Sequence, residues 1–318
     1  MSNGDYSLRG KRVWVAGHRG MVGSAIVRRL EQENCEVFIA DRQTADLRRQ
    51  ESTEAFIART KPQAVFLAAA RVGGILANST YPVDFLYDNL MIATNVIEAS
   101  WRGSVEKLCF LGSSCIYPKH APQPISEDAL LTGPLEPTNQ WYAVAKIVGI
   151  KLCEAYREQH GADFISAMPT NLYGPGDKFD LQTSHVMPAL IRKAHEAKLA
   201  NQSRIEVWGT GTPRREFLHV DDCADAVIHL MQHYSGSNHI NVGSGDDLTI
   251  RELTEMVCRI VGFAGTIAYD QSKPDGTPRK LIDSGRIQET GWRPRITLEQ
   301  GIRLTYEWFL TQTTNLSR

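Results

Sequence analysis

Tyr142 and Lys146 stand four residues apart in Tyr142-Ala143-Val144-Ala145-Lys146, a spacing that puts both side chains on one face of a helix. An ammonium beside a phenol lowers the phenol pKa from ~10 toward neutral pH, which makes tyrosine a usable proton donor or acceptor. Alone the pair is weak, because Tyr and Lys at this spacing occur by chance in many helices. It gains weight by following Gly112-Ser113-Ser114-Cys115, where an apolar run ends and Ser113 is placed to hydrogen-bond a substrate carbonyl. Cys115 adds a thiol of pKa ~8.5, near enough to neutral to take and return a proton if a cation lies close. The remaining cysteines, Cys35, Cys109, Cys153, Cys223 and Cys258, form no C-x-x-C and no His/Cys cluster. Neither a metal site nor a disulfide framework is expected.

Gly17-His18-Arg19-Gly20-Met21-Val22-Gly23 carries a second chemistry. Glycines at this spacing let the backbone turn sharply and approach a pyrophosphate, while a helix N-terminus presents oriented N–H groups. Glycine-rich turns are common; this one is informative because it lies where a strand gives way to a helix. Asp41, ending the second strand, suits the ribose 2′-hydroxyl of NAD. Arg42 follows at once and Arg19 sits in the turn, and two guanidiniums match a 2′-phosphate and outweigh a carboxylate that rotates away. The balance favours NADP, with Arg42 as a solvated surface charge the plainer alternative. Asp46 and Leu47 are placed to hold the adenine edge.

The elements that must hold these groups are legible as alternation. Arg12–Ala16, Cys35–Ala40, Ala64–Ala69 and Leu108–Gly112 read as strands covered on both faces, and Val22–Gln32, Asp84–Trp101 and Tyr142–Gln159 as helices. Repeated strand–helix order predicts an α/β fold, a Rossmann-type doubly wound parallel sheet. After Pro169 the pattern loosens: Thr170–Asp180 is loop, Val186–Leu199 helix, Arg204–Trp208 strand, and the last ~70 residues shorter helices and loops. A smaller α/β C-terminal substrate lobe is expected there. The division is 8–172 for the dinucleotide-binding lobe with a returning segment at about 219–245, and 173–218 plus 246–318 for the substrate lobe.

Composition removes other classes. The 318 residues carry a formal net charge of −1 and no basic block, which argues against nucleic acid and against an acidic membrane surface. Met1–Leu8 is too short and polar for a signal peptide, and no apolar run nears the ~20 residues of a membrane span. The cytosol is the expected compartment.

The Gly17–Gly23 turn, Ser113, the Tyr142/Lys146 pair and His219-Val220-Asp221-Asp222 together resemble the extended short-chain dehydrogenase/reductase family. More narrowly, GHRGMVGSAI, AAARVGGILAN, FLGSSCIYPK, EPTNQWYAVAKI, MPTNLYGP, WGTGTPRREFLHVDD and KPDGTPRK resemble its members that act on a GDP-linked 4-keto-6-deoxy sugar. That resemblance implies epimerisation at carbons 3 and 5 followed by NADPH-dependent reduction of the 4-keto group, in a homodimer built on the helices near Asp84–Trp101 and Tyr142–Gln159.

It also implies roles. Cys115 is the base and His185, in Ser184-His185-Val186-Met187-Pro188, the acid; a lone His at a helix start would otherwise read as a cap. Ala69, Leu111, Gly112, Ser113, Ser114, Pro169, Thr170, Asn171, Leu172 and His185 line the cofactor with the Gly17–Gly23 turn. Lys193, Trp208 and Arg215 hold the GDP end, with Asp275 hydrogen-bonding the nucleotide; the bland reading of Lys193 is a solvated helix face and of Trp208 a partly buried strand residue. A UDP-hexose 4-epimerase-like isomerase shares the fold, Tyr and Lys but has no need of a Cys/His pair. A 4,6-dehydratase would carry acidic residues where Ser114 and Cys115 stand. The same chemistry on a 4-keto-3,6-dideoxy sugar, with carbon 5 alone inverted, remains open.

Overall fold

The computed structural model describes residues 5–181, 184–273 and 275–316, so positions 182 and 183 of the polar loop before His185, and Pro274 of the KPDGTPRK run, lie outside the described residues. Its first half alternates β1 (Arg12–Ala16), α1 (Met21–Leu30), β2 (Glu36–Ala40), α2 (Gln50–Thr60), β3 (Ala64–Leu67), α3 (Ile75–Thr80), α4 (Pro82–Arg102), β4 (Lys107–Leu111), α5 (Gln140–His160) and β5 (Asp163–Pro169). There follow β6 (Asn171–Tyr173), α6 (Val186–Leu199), β7 (Arg204–Trp208), β8 (Arg214–His219), α7 (Val220–His233) and β9 (Ile240–Val242). β10 (Asp247–Thr249), α8 (Ile250–Val261), β11 (Thr266–Asp270), β12 (Arg279–Lys280), α9 (Gly285–Glu289) and α10 (Leu298–Leu316) complete the chain.

The central sheet is six parallel strands in the order β2-β1-β3-β4-β5-β9. Side chains alternate between its faces, so Val13 and Val15 pack with Ile26, Leu30 and Val227 under α1 and α7. Trp14 and Ala16 pack with Phe56, Val96, Ile97 and Ile150 under α2, α4 and α5. Each fully buried Val, Leu or Phe contributes on the order of 1.5–3 kcal/mol, offset largely by chain entropy. The order in which strands are added reverses between β1 and β3, which opens a crevice beyond their carboxyl ends.

The second lobe is built around β8, flanked by β10 on one side and β12 on the other, with β6 also pairing along it. Met187, Leu190, Ile191 and Ala194 recur at helical spacing on α6 and bury against Leu253, Val257 and Val261 of α8 and Ile302 of α10. α8 begins with a reciprocal cap, Glu252 N donating to Thr249 Oγ1 at 3.1 Å and Thr249 N to Glu252 Oε2 at 2.7 Å.

Three differences from the sequence expectation have physical causes. β4 starts at Lys107, not Leu108, because the buried Lys107 ammonium is satisfied by Asp163 at 3.0 Å and the Tyr234 carbonyl at 2.6 Å. β3 stops at Leu67, not Ala69, where the chain passes beneath Gly17. The C-terminal stretch is not only short helices: α10 runs 19 residues, held by Ile302 and Phe309 in the second core.

Candidate active site

Gly17 has φ +96, and a Cβ there would lie 2.5 Å from the Ala69 amide nitrogen. One on Gly23 would lie 2.1 Å from the Gly17 carbonyl oxygen, so both glycines are fixed by packing within the chain itself. Gly20 is different: nothing crowds it closer than 3.5 Å. It caps α1, whose first turn, with Met21 and Val22, carries no side-chain cap, so the amide hydrogens there are open to an anion. His18 Nδ1 is buried without a protein partner nearby, and burial pulls the imidazole pKa down, with Arg19 adding to the shift. A pocket of ≈ 450 Å³ lined by Arg19, Asp41, Arg42 and Gln43 continues from this turn.

The turn corrects one expectation. Asp41 does not rotate away from Arg19; their side chains pair at 2.9 Å, and Asp41 also accepts Thr44 N at 2.9 Å and Thr44 Oγ1 at 2.8 Å. Those hydrogen bonds, then the Arg19 charge, hold the carboxyl pKa down. Asp46 is likewise occupied: Arg48 grips both its oxygens, while the Leu47 carbonyl accepts Asn95 Nδ2 at 3.0 Å. The Asp46 carboxylate would give up an Arg48 bond to reach an adenine.

α5 brings Tyr142 and Lys146 to the end of β4. The helix approaches so closely at Gly149 that a Cβ would sit 2.3 Å from the Phe110 ring, and Gly161 with φ +68 ends it. Lys146 Nζ donates to the Leu111 carbonyl at 2.7 Å and lies 4.8 Å from the Phe110 ring centroid. Gly112 admits no side chain, since Met168 Sδ would be 2.2 Å from it. Ser113 Oγ accepts Cys115 N at 3.4 Å and caps a single 3-10 turn over Ser114–Ile116, which buries Cys115. Tyr142 packs edge-on against Phe85 at 6.5 Å between centroids.

The electrostatics here reverse a second expectation. Lys146 lies 5.7 Å from the Tyr142 ring centroid and donates to the Leu111 carbonyl, and burial, not the ammonium, sets the direction of the phenol's shift. Burial, with Cys115 beside it, pushes Tyr142 up, and burial pushes Lys146 down to about 8. The tyrosine therefore stays protonated at neutral pH, as a proton donor should. Burial also raises Cys115, opposed by Lys280, by the Ser113 hydrogen bond and by Lys146. His185, the N-cap residue of α6, makes no capping bond with its side chain, and its pKa is pulled down by burial, Lys280 and Lys178.

Lys280 is the residue that sequence reasoning missed. Its charge opposes the burial of the Cys115 thiol and adds to the lowering of the His185 pKa, while burial lowers the pKa of Lys280 itself. The KPDGTPRK run was the available signal, but spacing along the chain does not place β12 against the β4 end. Among the residues expected to hold the nucleotide, Lys193 Nζ donates to the Glu206 carbonyl at 3.0 Å and lies 5.7 Å from the exposed Trp208 ring, with Lys273 at 5.6 Å. Asp275 accepts Thr210 N at 2.7 Å and Thr210 Oγ1 at 2.9 Å, while Arg215 bonds the Arg214 carbonyl and has its pKa lowered by burial. Between the two ends, Pro169 closes β5, Thr170 N donates to the Val242 carbonyl, and Asn171 Nδ2 to the Glu216 carbonyl beside Leu172.

Residues 13–243 match the NAD dependent epimerase/dehydratase family, and the chain belongs to it. Within it, the chain is 64% identical over 306 residues to the GDP-L-fucose synthase of Sinorhizobium fredii, covering 96% of this chain and 98% of that one. It is 62% identical over 304 residues to the probable GDP-L-fucose synthase 1 of rice, covering 95% and 93%. A GDP-L-fucose synthetase from Naegleria fowleri, solved with NADP, superimposes with a TM-score of 0.90 at 26% identity over 98% of each chain.

Proposed function

We propose that this chain converts GDP-4-keto-6-deoxy-D-mannose to GDP-L-fucose, by epimerising carbons 3 and 5 and then reducing the 4-keto group with NADPH. What supports the reading is a buried thiol at the turn after β4 and a protonated phenol on the helix packed there, with the charge of Lys280 bearing on both Cys115 and His185. A simple isomerase needs no such pair, and identity above 60% to GDP-L-fucose synthases supports the particular sugar.

The roles follow from the groups. A 4-keto carbonyl acidifies the protons on carbons 3 and 5, because the carbanion is held as an enolate. Cys115 removes a proton, His185 returns one on the opposite face, and Ser113 and Tyr142 donate to the enolate oxygen. NADPH supplies the hydride to carbon 4 when bound. Tyr142 gives the carbonyl oxygen its proton, so a hydride and a proton together yield the alcohol. The uncapped amides of Met21 and Val22 and the unpartnered His18 Nδ1 fit a dinucleotide, and Arg19 and Arg42 suit its 2′-phosphate. Lys193, Arg215 and Lys273 suit a diphosphate, and Trp208 offers a flat apolar face to a base.

The lobe division at 8–172 with 219–245, against 173–218 with 246–318, is part of this reading. So is a homodimer. Val83 and Tyr87 on α4, and Trp141 and Val144 on α5, expose apolar surface on two helices packed side by side. Among the described residues no helix is long and apolar enough to cross a membrane, and the six cysteines are free, which supports a reducing cytosol. The test is to incubate the protein with NADPH and the keto-sugar and identify the product by NMR. Formation of GDP-L-fucose is expected; inversion at carbon 5 alone, or no consumption of NADPH, would overturn the reading.

A further inference from the structure

Asn241 lies on β9, fully buried, and has no part in the chemistry assigned above. Its side-chain amide is nonetheless saturated. Nδ2 donates to the Ile125 carbonyl and to the Asp283 carbonyl, each at 3.0 Å, and Oδ1 accepts the Tyr117 hydroxyl at 2.6 Å. Two carbonyl partners on Nδ2 fix the orientation of the amide, because the other orientation would set oxygen against oxygen. The Tyr117 proton is then committed to Asn241. His239, whose Nε2 is 3.0 Å from the same hydroxyl oxygen, must donate to it. Burial draws the His239 pKa down to about 4, so this imidazole is neutral and carries its one proton on Nε2.

What the amide joins gives it meaning. Tyr117 is two residues beyond Cys115, at the exit of the turn that buries the thiol. Asp283 is three residues beyond Lys280. The two segments also pair through the backbone, Ile125 N donating to the Leu281 carbonyl and Asp283 N to the Ile125 carbonyl, both at 2.8 Å. Ile282 N is held by the buried carboxylate of Glu216 at 3.2 Å. One buried side chain therefore spans the segment bearing the thiol and the segment bearing the cation that acts on it.

We propose that Asn241, through the Tyr117 hydroxyl, is a positioning residue that keeps the Cys115 turn and the Lys280 strand in fixed relation, so that the ammonium faces the thiol during proton abstraction. The inference rests on the reading of Cys115 as the base. The other groups bearing on the thiol are Lys146 and Tyr142 from α5 and Ser113 from the turn itself. All three are placed by contacts that do not pass through Asn241.

The experiment follows deuterium exchange from solvent into carbons 3 and 5 of the keto-sugar, without NADPH, across pH. Tyr117→Phe deletes one oxygen, and Asn241→Ala cuts the whole bridge; if the second fails to fold, the first carries the test. The expected result is exchange about tenfold slower near neutral pH, with its rising limb displaced upward by about one pH unit, since one unit corresponds to tenfold in thiolate population. Recovery of the wild-type rate at higher pH separates this from general damage, which would lower the plateau without moving the limb. An unmoved limb in Tyr117→Phe, with Cys115→Ser inactive in exchange, overturns the inference and leaves the base reading standing. Wild-type exchange in Cys115→Ser removes the base reading and this inference with it.

Discussion

The guanidinium of Arg19 lies 2.9 Å from the carboxylate of Asp41, across the mouth of the pocket that Arg42 and Gln43 also line. A carboxylate that would otherwise repel a 2′-phosphate is thereby neutralised by a residue of the phosphate-binding turn. The Arg19 end is largely in solvent and Asp41 only partly so, and an ion pair with one end this exposed adds little to stability. The Arg19→Ala/Arg42→Ala double variant should lose its preference for NADPH over NADH, with NADPH affinity falling roughly 10–200-fold, the value of one lost charged contact. Titrating both coenzymes by fluorescence checks this; an unchanged ratio would make Asp41 the selector.

Tyr142→Phe should reduce NADPH consumption by on the order of 10²–10⁴, the usual worth of general acid catalysis. Coenzyme affinity and melting temperature should hold, because the ring and its edge contact with Phe85 remain. Steady-state absorbance with purified keto-sugar measures it. Reduction within a few-fold of wild type would remove Tyr142 from the reaction.

His185→Asn should separate proton removal from proton return. With Cys115 intact, exchange at the faces it serves continues, but protonation on the opposite face fails, and unepimerised keto-sugar is reduced to a side product detectable by NMR. Exchange in the wild type should rise with pH through neutrality, because burial places the Cys115 pKa above that of a free thiol and the thiolate is the base. A rate that falls over the same range contradicts that assignment.

Burial lifts the Asp177 carboxyl to about 7, and its Oδ2 is buried without a hydrogen-bond partner. A folded-state pKa above the unfolded one means that the native state binds the extra proton. Stability is then full below the ordinary carboxylate range and declines as pH rises toward 7. Asp177→Asn should raise the melting temperature at pH ~8, by an amount equivalent to about 1–3 kcal/mol, and leave it nearly unchanged near pH ~4. Equal effects at both pH values would refute the account.

Gly149→Ala should loosen the packing of α5 on β4, since its Cβ would meet the Phe110 ring at 2.3 Å. Overpacking of this kind costs about 1–3 kcal/mol. Thermal melting and coenzyme binding should both suffer, because Lys146 is carried on the same helix; an unaltered melt would show that Phe110 can turn aside.

Much of this site could be read along the chain because its parts are local. The Gly17–Gly23 turn is one strand-to-helix junction, and Tyr142 and Lys146 share one helical face. The pairing of Asp41 with Arg19 was hidden, because the two stand 22 residues apart and meet only once β1 and β2 lie side by side. Lys280 was hidden for a different reason. Its charge bears on the thiol only once β12 has paired with β8, and no periodicity in a two-residue strand announces a partner. The phenol misled because spacing reports which face a group occupies, whereas its protonation depends on how much water the completed core leaves around it.

The placement of α7 and β9 bears on how the chain comes off the ribosome. α7 covers α1, with Arg29 of α1 reaching Asp225 of α7 at 2.8 Å, and β9 seals the outer edge of β5. Until residue 242 has emerged, the nascent Ile26 and Leu30 lack Val227 and its neighbours, and the β5 edge stands open to any extended segment nearby. The first half therefore cannot close until β9 has been made, and by then the segment between β6 and β8 has already emerged without α8 and α10, the helices that bury α6.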